Sequence, residues 1–158
     1  MFLYLLAAVL VAASIHVVRL DERTTQRIGE IALLYLLVGY CGVPMLAVSV
    51  VSLVSPEQAA LHLGFPAGNP FQEFLGYALL GMALLSLLAL RYRRTFLIAP
   101  AICWSVFFAG ATFIHLKDYG ERGALTHGNM IHIFASHGLI SLLLVVALFS
   151  SGLLKENP

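Results

Sequence analysis

Five apolar runs decide what this chain can fold into. They cover residues 2–18, 31–54, 71–90, 95–116 and 129–154. A helix needs about 20 apolar residues to cross the roughly 30 Å hydrocarbon layer of a bilayer. Only structures whose backbone hydrogen bonds are all internal are stable there. The balance of residue types agrees: 60% of the 158 residues are hydrophobic and 11% are charged, against about 25% charged in a soluble domain. Such a chain cannot cover its surface with charge. The expectation is one all-α domain over residues 1–158, an integral membrane helical bundle of about five transmembrane helices. The first run starts at Met1 with no basic residue ahead of it, so it lacks the positive region of a cleavable signal peptide and reads as a retained span.

The sparse charges orient the bundle. Arg19, Arg23, Arg27, Arg91, Arg93, Arg94 and Lys155 fall on one side of a five-span arrangement; only Lys117 and Arg122 fall on the other. The side richer in Lys and Arg faces the cytoplasm, which puts the N-terminus outside and the C-terminus inside. The net charge of +1 gives no reason to expect nucleic acid. Cys41 and Cys103 fall at similar depth. They read as small apolar packing residues or as a redox pair, although no C-x-x-C pair is present. Pro44 inside the second run predicts a kink. Before the third run, Asn69 reads as an N-cap, Pro70 as the first helical residue and Gln72 as a capping partner. Glu30, near Arg27, reads as a carboxylate complementing a helix start. His16 and His62 read as structural.

The run "GFPAGNPFQ" (Gly64–Gln72), continued by "EFLGYALLGMALLSLLALRYR" and by "WSVFFAGATFIHLKD", resembles an uncharacterised family of small prokaryotic multi-span membrane proteins known only as a domain of unknown function. The likeness covers roughly residues 55 to 140. It implies a multi-pass protein of the prokaryotic inner membrane and carries no mechanism.

Polar residues gather in "HGNMIHIFASHG" (His127–Gly138), which holds three of the chain's six histidines. In the five-span arrangement Glu73, His115, Asp118, Asn129 and His132 collect at the outer ends of spans three, four and five. His115 and Asp118, three residues apart, share a helical face, as do Asn129 and His132. The short connection between spans four and five makes them antiparallel neighbours and pairs His115 with His132. His137 lies about 7.5 Å deeper and about 140° around the helix from His132, level with Ala109, Gly110 and Ala111. Ionisable groups within a membrane face a bundle interior or a wet cavity.

Four readings compete for this cluster. Imidazoles and carboxylates from His115, Asp118, His132, His137 and Glu73 suit a divalent metal. Two histidines on neighbouring helices suit axial ligation of a haem. The cluster also suits the polar head of a quinone, lipid or other hydrophobic small molecule, with Asn129 beside the three histidines. The remaining reading is ordinary polar helix ends, with His137 satisfied by Ser136, Ser141 or a backbone carbonyl. The corresponding functions are a metal-assisted or redox enzyme acting on a hydrophobic substrate, and an accessory subunit docked in a larger membrane complex or homo-oligomer. No nucleophile with a paired base, no phosphate loop and no inverted repeat is visible, so no catalytic residue can be named.

Overall fold

In a computed structural model of the chain, residues 2–62, 70–122 and 134–155 are described, and every element among them is helical. Helix α1 spans Phe2–Val18. It buries Leu6, Val9 and Ala13 on one stripe and turns Tyr4, Val11 and Val18 outward. Helix α2 spans Thr25–Val54. It starts six residues before the run read from hydropathy, because Thr24 caps it: extended at φ −76° and ψ 151°, its side chain accepts from the Arg27 N–H. Glu30 therefore sits in the second turn, not at the helix start.

Pro44 was expected to kink this helix. The seven residues Leu36–Gly42, which end two positions before the proline, are π-helical. A proline inside an α-helix removes an N–H and drives its ring into the carbonyl four residues back, here that of Tyr40. Widening the helix before the proline relieves that clash, and the Val43 N–H reaches Val38 O, five residues back. Helix α3, Pro56–His62, follows without a span of its own.

Helix α4 runs Phe71–Leu88 with Pro70 as its flanking residue, so the predicted start is one residue early; Asn69 lies outside the described residues. Helix α5, Ile98–Arg122, enters through a 3-10 turn at Arg94–Leu97. It continues past the predicted end at 116, where Lys117 and Glu121 pair at 3.8 Å on its exposed flank. Helix α6 joins a π-helical turn, Phe134–Gly138, to an α-helical stretch, Leu139–Ser151. Gly152, at φ +72°, stops it three residues short of the predicted boundary.

Three of these helices, Thr25–Val54, Phe71–Leu88 and Arg94–Glu121, are long and apolar enough to cross a membrane; the apolar stretches Leu3–Val18 and Ser136–Ser151 are shorter. Helix α2 packs against α1 and α6, α4 against the second half of α2, and α5 against α6. Basic segments converge at one end. There Gly29 abuts Ser150 and Ser151, Gln26 lies against Gly152, and the turn at Arg94–Leu97 meets Leu153–Lys155. The core is centred on Trp104, Tyr40, Leu33, Leu37, Ile140 and Leu144, each 1% exposed or less. Outside it, large apolar side chains face outward along every long helix, among them Phe74, Val106, Phe113 and Phe149. Monomeric soluble proteins rarely expose that much apolar surface.

Candidate functional site

The two π-helical turns face each other. The Tyr40 hydroxyl, on the first, donates to the Ser136 carbonyl, on the second, at 2.8 Å. A π turn shifts its hydrogen bonds from the i−4 to the i−5 carbonyl, and this side-chain donor ties α2 to α6 where both ladders change register. Next to it, Ser136 Oγ and His137 Nδ1 are 2.8 Å apart, which fixes the imidazole through one nitrogen and directs the other ring nitrogen away from the serine.

His137 also sits between two rings of α5. Phe108 lies 5.7 Å away edge-on, and His115 lies 5.6 Å away at a 58° tilt, centroid to centroid. Phe108 in turn stacks on Trp104 at 5.3 Å and meets Tyr40 at 6.1 Å. The Trp104 indole N–H donates to Ser86 Oγ at 2.7 Å, which anchors the stack to α4. The result is a histidine pair backed by an aromatic wall of Phe108, Trp104 and Tyr40. Its two imidazoles come from different helices. At 1.5 Å per residue, His137 stands roughly 20 Å from Ser151, and His115 about 25 Å from Ile98. The pair therefore lies toward the end of the bundle opposite the basic segments.

The predicted residues separate as follows. His115 and His137 come together, and His137 meets α5 at Phe108 and His115, which flank the Ala109–Ala111 stretch in sequence. His115 meets His137; His132, expected at nearly equal depth with His115, lies outside the described residues. Asp118 is half-buried on α5, one turn beyond His115. Glu73 is exposed on the first turn of α4. Asn129 and His132 lie outside the described residues. Among the described residues, no three of His, Cys, Asp or Glu converge to hold a metal ion. Ser141, offered as a partner for His137, donates instead to the Ser105 carbonyl at 2.9 Å and joins α6 to α5. Cys41 is buried and Cys103 is exposed, and both are free thiols, so they form no disulfide.

Tyr40, Phe108 and Gln72 were missed as site or core features. An aromatic at helical spacing looks like any core residue, and no local pattern signals that its hydroxyl reaches a carbonyl 96 positions away. Gln72 was read as a capping residue. It is 1% exposed, and neither Nε2 nor Oε1 has a hydrogen-bond partner among the described residues. One turn on, Gly76 packs against Ser52 and Leu53, which places the buried face of α4 against α2. An unpaired buried amide costs roughly 1–3 kcal/mol, while an apolar replacement of the same shape avoids that cost. Gln72→Met is therefore expected to raise the melting temperature in detergent. A clear drop would mean that the amide is hydrogen-bonded.

No curated protein and no solved structure matches the chain. A family model does, described as a family of unknown function (DUF6790), and the match covers residues 1–156.

Proposed function

We propose that this chain, which belongs to the DUF6790 family of unknown function, is a multi-pass protein of the prokaryotic inner membrane that binds the polar head of a hydrophobic small molecule at its histidine pair. In this reading five helices cross the bilayer, with the N-terminus outside and the C-terminus inside. The convergence of Arg19, Arg23, Arg27, Arg91, Arg93, Arg94 and Lys155 toward one end supports that orientation. The short apolar stretches in α1 and α6 reach across by local thinning of the bilayer.

One observation carries the ligand reading: His115 and His137 lie 5.6 Å apart, with His137 backed by Phe108. Imidazole nitrogens donate or accept hydrogen bonds according to tautomer. A carbonyl, hydroxyl or phenol head group, as on a quinone-like molecule, could bond to them while its ring lay against the aromatic wall. Binding sites of this kind are mostly apolar, with a few fixed polar groups. The pair faces the outer half of the membrane, so the ligand would enter from the bilayer.

A second reading rests on the ring separation. A zinc ion about 2.0–2.1 Å from one nitrogen of each ring would hold the two centroids roughly 5–6 Å apart. His132, Asp118 or solvent would have to complete that coordination. Glu73 is the weakest of the earlier candidates, being exposed on another helix.

One experiment separates these readings. Wild type, His115→Ala and His137→Ala are purified in mild detergent; solvent extracts are analysed by mass spectrometry, and metals are counted per chain. The expected result is one organic molecule per wild-type chain, reduced at least tenfold in both variants. Stoichiometric metal lost in both would establish the second reading, and a haem absorption band would make that metal iron. A wild-type protein with neither would refute both and leave the accessory-subunit role as the better account.

A further inference from the structure

The opposite end of the bundle has a polar contact that the histidine pair does not explain. His16 Nδ1 and the Tyr35 hydroxyl share a hydrogen bond of 3.2 Å, with their rings edge-on at 5.7 Å. They line a hollow of about 400 Å³ between α1 and α2 that Arg19 also borders. A second hollow, about 390 Å³, shares Ile15 and Arg19 with the first and runs along Leu10, Val11 and Val18. Beyond Arg19 its lining is apolar except for Ser14, whose hydroxyl is turned back onto the Leu10 carbonyl at 2.8 Å.

Arg19 makes no ion pair among the described residues, although Asp21 and Glu22 follow it in the chain. Among the described residues, the segments that gather at this end hold seven basic residues against three acidic ones, Asp21, Glu22 and Glu30. The local charge therefore favours an anion. The groove from Arg19 to Leu10 is nine residues long, about 13.5 Å of helix, close to half of a roughly 30 Å hydrocarbon layer. That is the length of one leaflet's acyl chain, with the cationic group at the headgroup end.

We infer that α1 and α2 form a binding site for one anionic phospholipid of the cytoplasmic leaflet, with an acyl chain along Leu10–Val18 and the phosphate held by Arg19 and the His16–Tyr35 pair. The site rests on the proposed membrane orientation but is independent of the histidine pair at the other end. Arg19 supplies the charge, and His16 and Tyr35 supply hydrogen bonds to phosphate or glycerol oxygens. One basic side chain near an anionic surface is worth about a fivefold preference.

The test is native mass spectrometry of the full chain released from detergent carrying equal dioleoyl phosphatidylglycerol and dioleoyl phosphatidylcholine. Wild type is expected to retain phosphatidylglycerol at least fivefold over phosphatidylcholine. Arg19→Gln should bring the ratio near one, while Arg91→Gln, at the same end but outside the groove, should leave it unchanged. Val11→Trp, at an outward position 58% exposed, should lower retention of both lipids by filling the groove without touching the core. Equal retention of the two lipids by wild type overturns the site. So does an equal response to Arg19→Gln and Arg91→Gln, or unaltered retention in Val11→Trp. A wild-type chain that stays soluble without detergent and holds neither lipid overturns the membrane reading, and the site with it.

Discussion

Gly29→Ala is expected to lower the stability of the folded chain in detergent by about 3 kcal/mol, the upper part of the range for overpacked sites. The reason is steric and backbone-deep. A β-carbon at residue 29 would stand 2.5 Å from the Ser151 nitrogen and 2.7 Å from the Ser150 carbonyl carbon. Neither atom belongs to a side chain that can rotate away. That last turn of α6 is held by Gly152 in the left-handed conformation, with the Gln26 side chain packed against it. To admit a methyl group, α2 and α6 must separate along the contact that positions the rest of both helices. Small residues at such crossings let backbones approach where dispersion, and not water exclusion, drives helix association. Gly110→Ala supplies the contrast, because a β-carbon there meets nothing within 4 Å. It is expected to be neutral, or stabilising by up to about 1 kcal/mol through helix propensity. Thermal unfolding followed by circular dichroism reads both variants. Equal melting temperatures for the two would show that the α2–α6 contact is looser than its geometry indicates.

The helical class was legible because hydropathy acts over whole segments, and no single residue has to be read correctly. Segment ends were less legible, for local reasons. The hydropathy of the second run begins at Ile31, but the Thr24 hydroxyl starts the helix at Thr25, in a stretch too polar to count as a span. At the far end, Gly152 halts α6 in a sequence whose apolar character continues through Leu154. Pro44 signalled an irregularity without specifying its form, since a kink and a π turn answer the same clash. The site followed the same division. His115 and His137 stood out as polar groups in an apolar chain, and their convergence on adjacent antiparallel helices was within reach. Their direct pairing was not, and Tyr40 was invisible because its hydrogen bond joins two irregularities 96 residues apart.

Trp104→Ala is expected to be the most damaging single truncation in the core, and it should also weaken the histidine pair. Trp104 heads the fully buried side chains by volume. It stacks on Phe108 at 5.3 Å and meets Phe107 edge-on at 5.6 Å. Truncating a buried tryptophan costs about 3–5 kcal/mol in soluble proteins. Within a bilayer the apolar transfer contribution is smaller, because lipid is the alternative environment, but lost packing and the cavity remain. A value of about 3 kcal/mol is therefore expected, from the low end of that range. Trp104→Phe isolates the polar contribution. It keeps an aromatic ring against Phe108 but removes the indole N–H that donates to Ser86 Oγ, along with some ring volume. The serine is not stranded by this, since its hydroxyl also donates to the Met82 carbonyl at 3.1 Å. The phenylalanine variant should lose about 1 kcal/mol, the usual net worth of a hydrogen bond, plus a small packing deficit. The two variants should also differ at the site. Phe108 lies between Trp104 and His137, so the alanine variant frees the ring that backs the imidazole, whereas the phenylalanine variant holds it. Ligand retained at His115 and His137 should accordingly fall several-fold in Trp104→Ala and stay near wild type in Trp104→Phe, at a temperature where both remain folded. Equal loss in the two would assign the effect to the indole hydrogen bond. Unchanged retention in both would separate the aromatic wall from the binding site altogether.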